Sequence, residues 1–127
     1  MAPFDDVHER LFREPNLAAV TTLRADGTPH TSPTWVDWDG EHVLVNTAYG
    51  RAKVRHVQAN PQVSVMVVDR DDPDTWVAVS GPAELVDDGA DEHVQELSRR
   101  YDGTDFEMKD GERRVILRVT PERVTQR

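Results

Sequence analysis

The chain has 127 residues, enough for one domain and too few for two ordinary ones. Its 15 Lys+Arg against 24 Asp+Glu leave a formal charge of −9, with 37% hydrophobic and 31% charged residues. That balance excludes a disordered chain and a whole-surface nucleic-acid binder. No apolar run approaches the roughly 20 residues that span a bilayer, and the absence of cysteine removes disulfides, thiolate catalysis and Cys-ligated metal.

Residues 1–16 are charged throughout, so no secretory leader is expected and the location is expected to be cytoplasmic. Residues 5–14 predict a short helix, capped by Asp5 or Asp6, with Val7, Leu11 and Phe12 on one face and Pro15 as its stop. Residues 17–24 (LAAVTTLR) predict a strand. It closes at Asp26-Gly27, a hairpin signal between two extended segments. Residues 29–38, rich in Thr, Val and Trp, predict a second strand that turns at Asp39-Gly40. Residues 42–47 (HVLVNT) predict a third, so the first half reads as a three-stranded antiparallel meander.

The period then changes. Residues 51–59 predict a short helix with Ala52, Val54 or Arg55, and Gln58 or Ala59 on one face, ended by Asn60-Pro61. Residues 63–69 (VSVMVVD) are apolar enough for a strand covered on both faces. Residues 71–74 read as an acidic loop. Residues 76–86 (WVAVSGPAELV) read as a long strand with a bulge or bend at Gly81-Pro82. Residues 91–101 predict a helix with Val94, Leu97 and Tyr101 on one face. A polar loop over 102–112 precedes the last strand, 113–119, which Val124 extends. Six antiparallel strands with short turns, in one domain over 1–127, predict a small closed or split β-barrel with helices at its ends.

Few residues carry a recognisable chemistry. His8, His30, His42, His56 and His93 show no helical i,i+4 metal spacing, and no HExxH occurs. The run over 69–74 is similar to a calcium loop but has no Gly at its sixth place and no Glu at its twelfth, so no metal is expected. GxSxG, GxGxxG and GxxxxGK[ST] are all missing, which speaks against a nucleophile elbow, a Rossmann site and a P-loop. No catalytic side chain is assigned. One electrostatic feature stands apart. Residues 42–68 contain no Asp or Glu and hold Arg51, Lys53 and Arg55, a charge of +3 where the rest of the chain carries −12. Asn46 and Thr47 end a strand there, and Arg51 to Lys53 begin a helix. Hydroxyl and amide donors, free helix N–H groups and two cations suit a phosphate. The alternative is a solvated helix face.

At this point four segments together resemble a known family. DGTPHTSPTWV over 26–36, TAYGRAKVRHV over 47–57, NPQVSV over 60–65 and GPAEL over 81–85 stand in its order and spacing. The family is the pyridoxamine-5′-phosphate-oxidase-like superfamily of flavin- and deazaflavin-binding split barrels. The branch resembled is that of the F420-dependent oxidoreductases. His56 stands where Asn is usual. The resemblance implies a mainly β fold, a six-stranded antiparallel split β-barrel of the FMN-binding type, that forms a homodimer with two cofactors in interface clefts. It implies coenzyme F420 with its phosphate on Arg51, Ala52 and Lys53 and with Thr47 as a donor. The ring would lie against Ser32, Pro33, Thr34, Val45 and Asn46, with Trp76 of the partner subunit closing the cleft and Arg55 meeting a glutamate tail. The activity implied is hydride transfer to a small organic acceptor, with no nucleic acid or membrane as partner. FMN-dependent oxidation–reduction is the alternative within the enzymes. A non-catalytic cofactor carrier and a cofactor-free protein that meets an acidic partner through its basic window are the others. Trp35 and Trp38, three apart, face opposite sides of a regular strand. Trp38 is assigned to packing, Trp35 to the pocket.

Overall fold

The computed structural model describes residues 3–127. Helix α1 (Asp6–Arg13) is capped by Asp5, whose carboxylate accepts the His8 N–H at 3.0 Å. Its inward face is His8, Leu11 and Phe12, not Val7, which is 53% exposed. The face turned because Phe4, Phe12 and Trp38 form an aromatic nest, with Phe4 and Trp38 centroids 4.9 Å apart. The Trp38 indole N–H reaches Glu9 at 2.7 Å, so the ring is buried without an unpaired donor.

Eight strands follow: β1 (Ala18–Leu23), β2 (Pro29–Thr34), β3 (Asp37–Trp38), β4 (Val43–Ala48), β5 (Gln62–Asp69), β6 (Asp72–Val86), β7 (Arg114–Val119) and β8 (Arg123–Gln126). They pair in the order β2-β1-β5-β6-β7-β4-β3, with β8 also on β6. All pairings are antiparallel. The two ends of this path, β2 and β3, are joined only by Trp35 and Val36. The sheet therefore curls until its ends meet at that corner, which is a split barrel. The mainly β split-barrel expectation holds, and six strands became eight because two of them break. The expected strand over 29–38 breaks at Trp35, so the three-stranded meander does not form: β2 pairs β1 while β3 pairs β4. The chain after β7 breaks at Thr120, so Val124 belongs to the separate strand β8 on β6.

The long strand β6 shows no register shift at Gly81-Pro82. Instead its neighbour changes there, from β8 at Val77–Ser80 to β7 at Ala83–Val86. The irregular turn lies opposite, at Thr120. A Cβ on Gly81 would stand 1.8 Å from the Thr120 carbonyl oxygen, so the close crossing requires glycine. The acidic 71–74 segment is not a loop. β6 already begins at Asp72, directly opposite Asp69, because Asp69 accepts the Asp71 N–H and an Arg10 guanidinium, both at 2.9 Å. That ties the turn to α1.

The core follows strand alternation. Val63, Val65 and Val67 point inward, with Val20, Val77, Val79, Val45 and Leu117 facing them. β5 is not covered on both faces: Met66 on its outer side is 40% exposed. β7 is buried on both faces, because α3 (Ala90–Asp102) lies over it. The face of α3 includes Val94 and Leu97 as expected, but also Ala90, His93 and Ser98. Helix α2 (Ala52–Ala59) buries Val54, one of the residues expected to face inward, together with Val57 in place of Gln58 or Ala59.

Candidate functional site

A cleft of about 350 Å³ opens beside the β2–β3 corner. Its wall is built from the ends of β2 and β4, the start of α2, the start of β7 and the loop after α3. Six of the ten residues expected at a cofactor line it: Pro33, Thr34, Asn46, Thr47, Arg51 and Lys53. Ser32 sits on the same face of β2 as Thr34, with its Oγ buried and no hydrogen-bond partner. Ala52, half-buried, is the first residue of α2 between the two cations.

Two of the expected residues stand elsewhere. Val45 is wholly buried and packs into the barrel core, so its side chain is turned from the cleft. Trp76 lies half-buried on the outer face of β6, opposite Val68 and next to Met66's row. Within this chain it does not reach the cleft. Trp38 is core and Trp35 lines the cleft; the strand breaks at Trp35, so the chain's turn at the corner, and not alternation along one strand, separates them.

The cleft also contains residues that sequence reasoning missed. Arg114 enters from the start of β7, 8% exposed, with its guanidinium 4.9 Å from the Phe106 ring. Phe106 belongs to the supposedly polar loop. That loop is held down by Gln95, which donates to the Phe106 carbonyl at 3.0 Å and accepts its N–H at 2.9 Å. Trp35 stacks on Tyr101 at 5.4 Å and meets Phe106 edge-on at 6.4 Å. One sequence signal was present but slight, the one aromatic in a polar loop; alternation puts Arg114 on the outer face of β7 with Arg118, and only the cover of α3 buries it. Leu17, 63% exposed, forms the outer lip.

The site is electropositive. Arg51, Lys53 and Arg114 face one space, and among the described residues neither Arg51 nor Lys53 makes an ion pair. Burial first, and then the Arg51 cation, hold the Lys53 ammonium below its ordinary pKa of 10.5. Burial likewise lowers Arg114, although it keeps a contact with Glu112 at 3.5 Å. The start of α2 has no side-chain cap, so its first N–H groups remain available. An unpaired, partly desolvated ammonium at Lys53, with the Arg51 and Arg114 cations and free helix N–H groups beside it, is what an anionic ligand needs. Among the described residues no group of three or more His, Cys, Asp or Glu could hold a metal, and no helix is long and apolar enough to cross a membrane.

Comparison with known proteins places the chain among relatives of the same fold. The family model of pyridoxamine 5′-phosphate oxidase matches residues 4–127. A solved structure of an F420 reductase is 34% identical, covering 96% of this chain and 98% of its own, with a TM-score of 0.86. HupZ of Group A Streptococcus is 21% identical, with 97% and 93% covered and a TM-score of 0.73. HutZ, the heme storage protein from Vibrio cholerae, is 17% identical, with 93% and 90% covered and a TM-score of 0.68. The last two likenesses concern the fold alone. The matched span and the cationic cleft at the barrel corner lead to one conclusion: this chain belongs to the pyridoxamine 5′-phosphate oxidase family.

Proposed function

We propose that the protein is an F420-dependent reductase that carries hydride to a small organic acceptor. The observation that carries this reading is the convergence of Arg51, Lys53 and Arg114 on one cleft, in a chain 34% identical over nearly its full length to a protein described as an F420 reductase. The residues fit such a cofactor. The Ser32 hydroxyl has no partner of its own, Lys53 has no acid beside it, and the first N–H groups of α2 are uncapped.

In this reading Arg51, Lys53, Arg114 and the N–H groups of Ala52 and Lys53 hold the phosphate. Thr47 adds a hydroxyl. The edge of β2, with Ser32, Pro33 and Thr34, gives the ring a flat wall with hydrogen-bonding groups. Asn46 orients Arg114 through a 2.9 Å bond, and Val45 supports that wall from behind. Trp35 and Phe106 exclude water from the reacting face. When bound, the reduced deazaflavin supplies the hydride. The protein supplies position and electrostatics, with no side chain acting as acid or base. A second copy completes the site: the outer face with Met66, Ala78 and Trp76 is uncovered within one chain, and it forms the homodimer contact that brings Trp76 to the neighbouring cleft.

The test is titration of purified protein with oxidised F420 and, separately, FMN, followed by fluorescence quenching. Tight, saturable quenching by F420 is expected. Binding of FMN alone would move the activity to a flavin-dependent one, and binding of neither would overturn the reading.

A further inference from the structure

Four polar side chains run in a line from the interior to the cleft wall: Asp37, His93, Asn46 and Arg114, each 8% exposed. So much buried polarity is tolerable only if every group is paired, and here the pairing fixes the position of each proton. Arg114 Nε donates to Asn46 Oδ1 at 2.9 Å. Asn46 Nδ2 donates to the Ala90 carbonyl at 2.9 Å. A guanidinium only donates and a carbonyl only accepts, so this amide cannot be turned over. The second Asn46 N–H points at His93 Nδ1, 3.1 Å away, which must offer its lone pair. The ring proton of neutral His93 is therefore on Nε2, 3.0 Å from Asp37 Oδ2. Asp37 Oδ1 accepts the Trp38 N–H and an Arg100 N–H, both at 2.9 Å.

We propose that Asp37 and His93 are positioning residues for the cleft: through Asn46 they fix the Arg114 guanidinium that meets the anionic group of the ligand. The proposal rests on the reading that the cleft takes a phosphate-bearing cofactor. A proton on His93 Nδ1 sets two donors against each other. Asn46 must then turn, abandoning the Ala90 carbonyl and presenting its NH2 to the Arg114 N–H. Ligand affinity falls in any state that puts a proton on Nδ1, the inverted tautomer included. The groups in this network are Asp37 from β3, Asn46 from β4, Arg100 from α3 itself and Arg114 from β7, with Glu112 against Arg114.

The decisive variant is Asp37→Asn. Two donors occupy the Oδ1 position, so the amide oxygen stays there and the new NH2 faces His93 Nε2. The ring must then accept at Nε2 and carry its proton on Nδ1, against Asn46. In ¹⁵N-labelled protein the wild type should show His93 with the proton on Nε2 and a protected Arg114 Nε–H signal. Asp37→Asn should invert the tautomer, broaden the Arg114 signal and weaken oxidised F420 binding about tenfold, the loss of one charge-assisted hydrogen bond. His93→Asn keeps an acceptor near Nδ1 and cannot titrate. It should keep the Arg114 signal and the wild-type affinity for oxidised F420. A wild-type tautomer and affinity in Asp37→Asn would overturn the proposal. So would loss of the Arg114 signal in His93→Asn, which decides the matter even if Asp37→Asn fails to fold. Failure of the wild type to bind F420 or FMN would overturn the cofactor reading instead. The tautomer and the Arg114 signal, read on the free protein, still decide the relay.

Discussion

Replacing Lys53 by alanine should weaken cofactor binding while leaving the free protein at least as stable. The two effects have one cause. Lys53 is half-buried at the cleft, and the charge that acts on it is another cation, Arg51. In the free protein that ammonium is partly desolvated without an acid in ion-pair reach, so its removal relieves the fold. In the complex it meets phosphate, and a charge-assisted hydrogen bond contributes about 1.5–3 kcal/mol, a ten- to hundredfold change in Kd. Lys109 is the control, as the only other lysine; it is exposed in the loop before β7. The assay pairs fluorescence titration of F420 and FMN with thermal melts of the free variants. The loss should be similar for both cofactors, since both carry the phosphate, and should shrink as salt is added. The pH dependence has a defined sign. The folded pKa of Lys53 is lowered, so the penalty is full below that folded pKa and disappears as pH rises toward the ordinary 10.5. The alanine variant should lack that gain. Equal Kd values for Lys53→Ala and Lys109→Ala would remove the phosphate role from the start of α2.

Three further outcomes are expected. Gly81→Ala drives a Cβ to 1.8 Å from the Thr120 carbonyl oxygen, an overpacking that costs about 1–3 kcal/mol or more in urea unfolding. Burial raises the Asp37 pKa, but the hydrogen bonds from His93, Arg100 and the Trp38 N–H outweigh it and hold the carboxyl below 3.8. Asp37 therefore stabilises the fold above that value, and its contribution is lost as pH falls through the folded pKa; in urea melts across the acid range Asp37→Asn should flatten that part of the decline. Light scattering should give twice the 14.4 kDa chain mass, and Met66→Asp on the uncovered outer face should shift it to monomer. A wild-type mass of 14.4 kDa at every concentration would refute the dimer.

The strands themselves were legible because alternation and Asp-Gly turns are local signals. Val63, Val65 and Val67 announce an inward face without any knowledge of what they pack against. Arg51 and Lys53 were legible for the same reason, since the acid-free window and the helix start are contiguous in sequence. Partner choice along a strand is not local. Nothing in residues 29–38 says that the chain leaves β1 at Trp35 to pair with β4; the curl of the whole sheet imposes that break. Exposure of the β5 outer face depends on where α3 docks, which is over β7. The third cleft cation needed tertiary structure most. Arg114 lies 61 positions beyond Lys53 in the chain, and only the β4–β7 pairing, with Asn46 opposite Ile116 and Thr47 opposite Val115, carries it to the same wall. His93 was a lone helical histidine in the sequence. Its neighbours Asp37 and Asn46 come from two strands, β3 and β4, so its tautomer could be read only after long-range packing had set the hydrogen bonds on both ring nitrogens.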